Sequence, residues 1–395
     1  MSIDRPTGAS RVAFYNDPRV RSVVYQVALF AAVGFLVYAA AGNAIDNLER
    51  AHITSGFGFW NTTAGFDISQ TLIHYNPEVS TYGRAFWVGL LNTLLVAGLG
   101  IVFATILGFV IGISRLSKNW LLARTAGGYV ETIRNIPLLL QLLFWYNAVL
   151  KSLPVARESI VIPGGAFLNN RGLFLPRPVF ENGFGAVLIA LAGGIAIAVL
   201  FQLWARKRQE RTGRQAPVLP VTLVLVIGLP AIALLLAGFP LRFAIPQVGR
   251  FNITGGVEVL PEFAALLFGL SIYTAAFIAE VVRAGILAVS RGQIEAAYSL
   301  GLKPRPTLRL IVVPQAMRVI IPPLTSQYLN LTKNSTLAVA IGYPDLVQIF
   351  TGTVLNQTGQ AVTVVAITMA VYLTISLATS LAMNIYNRRV ALVER

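Results

Sequence analysis

The residues whose types and order most constrain chemistry lie at 290–315, SRGQIEAAYSLGLKPRPTLRLIVVPQ. Ser290 followed three positions on by Gln293 has the capping-box pattern, in which a hydroxyl and an amide satisfy the free backbone donors of a helix start. Gly301 is free to take the left-handed conformation that ends a helix, and Pro304 and Pro306 forbid its continuation. The spacing predicts a helix of about ten residues, ~15 Å long and too short to cross a bilayer. It presents Glu295 beside Ala296 and Ala297, which are small enough to admit another backbone. The chemistry on offer is docking rather than catalysis. Local physics also allows an ordinary surface helix with a solvated carboxylate, and both readings stand at this point.

Two carboxylates fall in or near apolar stretches, each with an arginine three residues on: Glu131 with Arg134, and Glu280 with Arg283. This spacing puts both charges on one helix face, where pairing lowers the cost of burial in lipid. Such pairs brace a bundle or snorkel to an interface, or they form a closed inner gate. Neutral hydrogen-bonding groups also occur in candidate helices: Asn92, Thr93, Gln141, Tyr273, Thr274, Gln327, Asn330 and Asn334. Each on its own can simply cross-link helices.

Several chemistries are excluded by what is missing. The chain has no cysteine, so no disulfide framework, thiolate metal site or cysteine nucleophile exists. His52 and His74 are the two histidines, without the H-x3-H spacing of a catalytic zinc site. No serine-centred triad can be assembled, and no G-x4-G-K-[ST] phosphate loop occurs. Neither catalytic nor metal-ligating residues are assigned.

The elements that position these groups are apolar. Hydrophobic residues make up 55% of the 395-residue chain and charged ones 12%, with a mean hydropathy of +0.69. That is well below the roughly 25% charge of an average soluble domain. The formal charge of +15 does not indicate nucleic acid, because the basic residues lie between apolar runs rather than on a basic domain. Charge-free runs at 22–45, 85–114, 182–205, 215–241 and 346–387 each suffice for the ~20 residues of a span, the last with length to spare. Stretches at about 124–150, 258–287 and 308–331 add candidates with internal charges, so eight spans are expected. The first should remain as an anchor, since the N-terminal 21 residues are polar and no cleavable leader is evident.

Lys and Arg are retained on the cytoplasmic side of short loops. That rule places both ends inside, together with Arg115, Lys118, the Arg206–Arg214 hinge and residues 291–309. The 151–183 loop, with Lys151, Arg157, Arg171 and Arg177, is its weak point. Lys333 falls at the outer end of its span. Four regions emerge. Residues 1–84 hold a tail, an anchor helix and an outer loop, and 85–150 a pair of spans. Residues 151–256 form an insertion of one loop and two helices, and 257–395 carry the most polar groups at membrane depth. Gly108 and Gly112 form a G-x-x-x-G pair assigned to packing, and Pro322-Pro323 should kink their span or make it start irregularly.

Glu295-Ala296-Ala297, Gly301, Ile311 and Pro314 resemble the E-A-A-x3-G-x9-I-x-L-P signature of ABC importer permeases, with Val313 where that pattern has Leu. The stretches SIYTAAFIAE from Ser271 and ETIRNIPLLLQ from Glu131 are similar to the polar amino-acid branch, of the histidine, glutamine and arginine type. In the second, Arg134-Asn135-Ile136-Pro137 replaces the usual Arg-Gly-Thr-Pro core. Tyr15-Asn16-Asp17-Pro18-Arg19-Val20-Arg21-Ser22 resembles the larger permease subunits of general L-amino-acid importers. The branch resemblance covers about 85–150 and 257–390; nothing carries over to the insertion.

The resemblance implies an all-α membrane protein of about eight helices around a five-helix permease core, multi-pass in the bacterial inner membrane. Glu295, Ala296, Ala297 and Gly301 would then seat in a separate ATPase dimer, which uses ATP and magnesium; this chain binds no cofactor. Further implied partners are a second, homologous permease subunit, a periplasmic amino-acid-binding protein and the L-amino-acid substrate. Asn92, Gln141, Tyr273, Thr274, Gln327, Asn330 and Asn334 become pathway candidates, because a zwitterion stripped of water needs polar partners. Glu131, Arg134, Glu280 and Arg283 become gate or bracing pairs. An ion- or proton-coupled secondary carrier would instead want an unpaired carboxylate near mid-membrane. A receptor-like membrane protein would leave Glu295 to Gly301 without a role.

Overall fold

The computed structural model describes residues 18–50, 56–249 and 253–390. The N-terminal tail with Tyr15-Asn16-Asp17, His52, Arg250 and the last five residues lie outside them.

Helix α1 (Pro18–Arg50) stands apart, with the apolar side chains of its stretch Val20–Asn43 uncovered by the rest of the described chain. Helix α2 (Tyr82–Ser114) begins at Thr81, whose hydroxyl accepts the Arg84 N–H. Helix α3 (Trp120–Asn135), capped by Asn119, and α4 (Leu138–Leu143), which continues in wider turns to Leu150, meet at 104°. The break is at Asn135-Ile136-Pro137: Ile136 is extended, as a residue before proline prefers, and no straight span of 124–150 exists. Helices α5 (Phe184–Thr212), α6 (Val218–Leu223) and α7 (Leu229–Leu236) form the inserted hairpin. Gly194 permits it, since a Cβ there would collide with the Leu225 carbonyl.

The core continues with α8 (Pro261–Leu287), the short α9 (Arg291–Ser299), α10 (Pro304–Thr307) and α11 (Val313–Asn334). Helix α12 (Leu355–Thr358) and α13 (Ala361–Val390) close the chain. Among the described residues, seven helices, or eight if the bent α3–α4 pair is one span, are long and apolar enough to cross a membrane. This agrees with the sequence count once the bend is allowed for. The run at 346–387 is not one helix, because Gly359 at φ 66° ends α12 before the span begins.

Helices α2 and α8 are the centre of the bundle. Gly108 and Gly112 let them touch: a Cβ at Gly112 would lie 2.7 Å from the Ala279 carbonyl oxygen. Val96, Ala104, Leu142, Leu266, Leu270, Ile278, Val282, Ile320 and Leu331 fill the shared core. Helix α11 runs through Pro322-Pro323 as one helical segment.

Opposite the α9 end the chain adds short strands that the all-helical expectation omitted. Strands β1 (Ile160–Ile162), β2 (Ala166–Asn169) and β3 (Gly172–Leu175) form an antiparallel sheet whose fourth member is residues Val257–Val259. This sheet ties the insertion to the head of α8. Arg177–Phe180 pairs with Leu241–Ala244 across the base of the hairpin. On the same side, Phe59, Trp60, Tyr82, Phe86 and Phe350 form an aromatic cluster.

Candidate functional site

Helix α9 is built as its sequence dictates at one end and not at the other. Gly301 adopts φ 77°. The Leu302 N–H donates to the Ala297 carbonyl at 3.1 Å and the Gly301 N–H to Tyr298 at 2.9 Å; this is the Schellman termination. At the start, Ser290 makes no side-chain cap bond, so the expected capping box is not formed. Ser290 still starts the helix through its carbonyl, which accepts the Gln293 N–H at 3.1 Å.

Ala297 is buried and Ile294 packs on the core, which fixes α9 to the bundle. Glu295, Ala296, Tyr298 and Ser299 face outward, and Leu300 is 82% exposed. Glu295 has no ion pair among the described residues. One surface therefore offers a free carboxylate, a small residue and two apolar knobs. A recess of about 450 Å³ lies beside α9, lined by Ala288, Val289, Gln293, Gln315, Arg318 and Val319. It joins α9 to α11.

Along α11, Pro322, Ser326, Asn330 and Lys333 are exposed and Gln315 and Arg318 half-buried. Their spacing puts them on one face, with Ile320, Leu324 and Leu331 buried on the other. A polar stripe along a membrane helix is costly against lipid and belongs against water or another protein. Ser326, Arg318 and Gln315 were not singled out from sequence; their i, i+3, i+4 spacing with Asn330 was the available signal. Gln327 and Asn334 flank the stripe, half-buried.

The remaining pathway candidates lie elsewhere. Asn92 is fully buried, and its Nδ2 donates to the carbonyls of Gln70 and Pro344, each at 2.8 Å. Gln141 is also buried, and its Nε2 donates to the carbonyls of Ile133 and Ile136 at 2.9 Å, satisfying backbone left open by the α3–α4 bend. Both are braces within the subunit rather than groups facing the stripe. Thr274 is buried, and Tyr273 packs on Phe277 at 4.9 Å between ring centroids.

The two charge pairs separate. Glu280 is held by Arg283 on its own helix and by Arg115 at the end of α2, so it ties α2 to α8. Glu131 and Arg134 form no ion pair among the described residues. Both are exposed, and the Arg134 guanidinium instead lies 5.1 Å from the Phe277 ring centre. The pairing expected there is corrected: the Glu131 carboxylate is exposed without an ion pair among the described residues, and the ring face attracts the Arg134 cation.

A third carboxylate was missed. Asp345, in the segment after α11, is fully buried. The Gln348 N–H donates to its Oδ1 at 2.7 Å and the Tyr372 hydroxyl to its Oδ2 at 3.2 Å. Next to it the Leu346 N–H donates to Thr93 Oγ1 at 3.0 Å. Burial pushes the Asp345 carboxyl up to about 7, against the pull of those hydrogen bonds. No signal in the sequence marks it, because a single Asp after Gly-Tyr-Pro looks like a solvated turn.

Comparison with known proteins bears on this geometry. Residues 100–392 match the family of binding-protein-dependent transport system inner membrane components. The chain is 53% identical over 390 residues to the general L-amino acid transport system permease protein AapQ of Rhizobium johnstonii, covering 98% of this chain and 97% of that protein. It is 52% identical over 395 residues to the putative amino-acid ABC transporter permease protein YhdX of Escherichia coli K12, covering all of both chains. To the glutamate/glutamine/aspartate/asparagine transport system permease protein BztB of Rhodobacter capsulatus it is 43% identical, again over the full length of both. An exposed short helix, a polar stripe on an apolar bundle and a match that includes both lead to one conclusion: the chain belongs to the binding-protein-dependent transport system inner membrane component family, and is a multi-pass ABC transporter permease.

Proposed function

We propose that this permease passes L-amino acids of broad type across the bacterial inner membrane, with α9 and both chain ends in the cytoplasm. A periplasmic binding protein delivers the substrate. An ATPase dimer, using ATP and magnesium, seats on Glu295, Ala296, Tyr298 and Leu300 and moves α9. The α11 stripe faces a second, homologous permease subunit, and the two chains enclose the passage between them.

The observation that carries this reading is the juxtaposition of α9 and α11. The exposed docking helix shares a recess with Gln315 and Arg318, at the α9 end of the polar stripe, so a push on α9 reaches the passage directly. Full-length relatives named as amino-acid permeases support the substrate class. Neutral groups predominate on the stripe, which suits recognition of the shared ammonium and carboxylate rather than of one side chain.

The test is co-purification followed by uptake. The chain, expressed with its neighbouring subunits, should bring down an ATPase, and proteoliposomes should take up glutamate, leucine and arginine only with ATP and binding protein. Uptake driven by an ion or proton gradient without ATP would overturn the proposal in favour of a secondary carrier.

A further inference from the structure

The proposed cycle assigns no role to the inserted hairpin. Helix α5 has 29 residues, about 44 Å at 1.5 Å per residue, which exceeds the ~30 Å hydrocarbon core. Its last two turns therefore extend beyond the hydrocarbon core into the headgroup region. They carry Arg206, Lys207, Arg208 and Arg211, with Arg214 just beyond and Glu210 as the one carboxylate in the stretch. These five cations are exposed, and none has an ion pair among the described residues. The Arg208 guanidinium lies 5.2 Å from the Trp204 ring centre. An indole next to a cation suits the headgroup level, where one meets acyl chains and the other polar groups.

A second observation gives the charge a place to act. At this end of the hairpin a recess of about 560 Å³ is lined by Gln202, Gln209, Gln215, Thr222 and Arg309 together with the apolar stretch 216–220, and the five hinge cations lie next to it in the chain rather than in its lining. Arg309 comes from the wide turns Leu308–Val312, which follow α10 in the core. The hairpin therefore forms one wall and the core supplies a cation to the other. Charge retention on the cytoplasmic side accounts for the basic hinge and for Arg309 lying on that side, but not for Arg309 meeting three hairpin amides at one gap.

We propose that this recess and its basic collar bind the phosphate headgroup of an anionic phospholipid, which joins the hairpin to the permease core. A lipid fits better than a soluble anion because the site opens where α5 leaves the membrane. It also fits better than a protein partner, because the collar carries its charge at headgroup depth, where anionic lipids concentrate.

Native mass spectrometry of the whole permease complex, taken from nanodiscs of phosphatidylethanolamine with added phosphatidylglycerol, tests this. Phosphatidylglycerol should be retained about fivefold or more over its share of the bilayer. Arg309→Gln and the double variant Gln202→Leu/Thr222→Val should each reduce that enrichment towards unity while leaving the hinge charges, and hence insertion, intact. Replacing Arg206, Arg208, Arg211 and Arg214 by Gln should do the same, with cytoplasmic labelling of a cysteine at Gln215 confirming the topology. Unchanged enrichment in Arg309→Gln and in the double variant would overturn the proposal. So would displacement of the lipid by inorganic phosphate alone, which would mark a soluble-anion site. Loss of the ATPase from the fourfold variant with lipid enrichment unchanged would mark a protein-docking surface instead.

Discussion

Arg283 donates two hydrogen bonds to one carboxylate oxygen of Glu280, from Nε at 3.1 Å and from Nη2 at 2.6 Å, and Arg115 takes the other oxygen. One carboxylate thereby fastens the end of α2 to α8, the pair at the centre of the bundle. Glu280→Gln should lower the stability of the purified protein by about 1.5–3 kcal/mol, the usual worth of hydrogen bonds to a charged group. Thermal unfolding in detergent would measure it. An unchanged Tm would show that the pair carries no structural weight.

Gln141 and Asn330 should now part company. Gln141→Leu removes the donor that closes the α3–α4 bend and should cost about 1–3 kcal/mol of stability. Asn330→Leu alters an exposed stripe residue; it should leave Tm unchanged and slow uptake of glutamate, leucine and arginine alike by roughly tenfold to a hundredfold. Selective loss of one substrate by Asn330→Leu would mean that the passage itself discriminates.

Asp345 predicts a pH dependence. Its folded pKa, about 7, lies above the ordinary value of 3.8 because of burial, so between those values the folded chain holds a proton that the unfolded chain releases. The stabilisation is full at the acid end and is lost as pH rises through about 7. Tm of the wild type should therefore fall from about pH 5 to about pH 8, while Asp345→Asn, whose amide oxygen keeps the acceptor for Gln348 and whose NH2 can donate to the Tyr372 hydroxyl, should show a flatter profile. Parallel profiles would remove Asp345 as the titrating group.

Topology is testable in a chain without cysteine. Single cysteines at Gln209 and Ser299 should label only from the cytoplasm, and those at Asn61 and Asn170 only from outside. Labelling of Gln209 from outside would contradict the arrangement of the inserted hairpin.

Much of this was legible in the chain, for identifiable reasons. Apolar runs are long-range and redundant, so the spans could be read without knowing their neighbours. Gly301 signalled its own conformation because few other residues tolerate it. What escaped depended on contacts distant in sequence. Asp345 is buried only because Thr93 and Tyr372 close around it. Gln141 is a brace only because Pro137 bends the chain back over Ile133. Glu131 and Arg134 had the right spacing, but Phe277 of another helix offered the cation a different partner. The short strands at 160–180 pair across the insertion with 241–244 and 257–259, beyond the reach of local pattern.

The central claim is that α9 carries the work of ATP hydrolysis into the bundle, and charge reversal at Glu295 tests it most directly. Glu295 is exposed and pairs with no other described residue, so Glu295→Lys alters the docking surface without disturbing the fold. ATP-driven uptake should be measured in reconstituted complexes, with Tm and ATPase retention followed in parallel. The account predicts an unchanged Tm, weakened ATPase retention and loss of uptake by about a hundredfold, the scale of a lost charge-assisted contact in a docked interface. Normal uptake with normal complex assembly would contradict it.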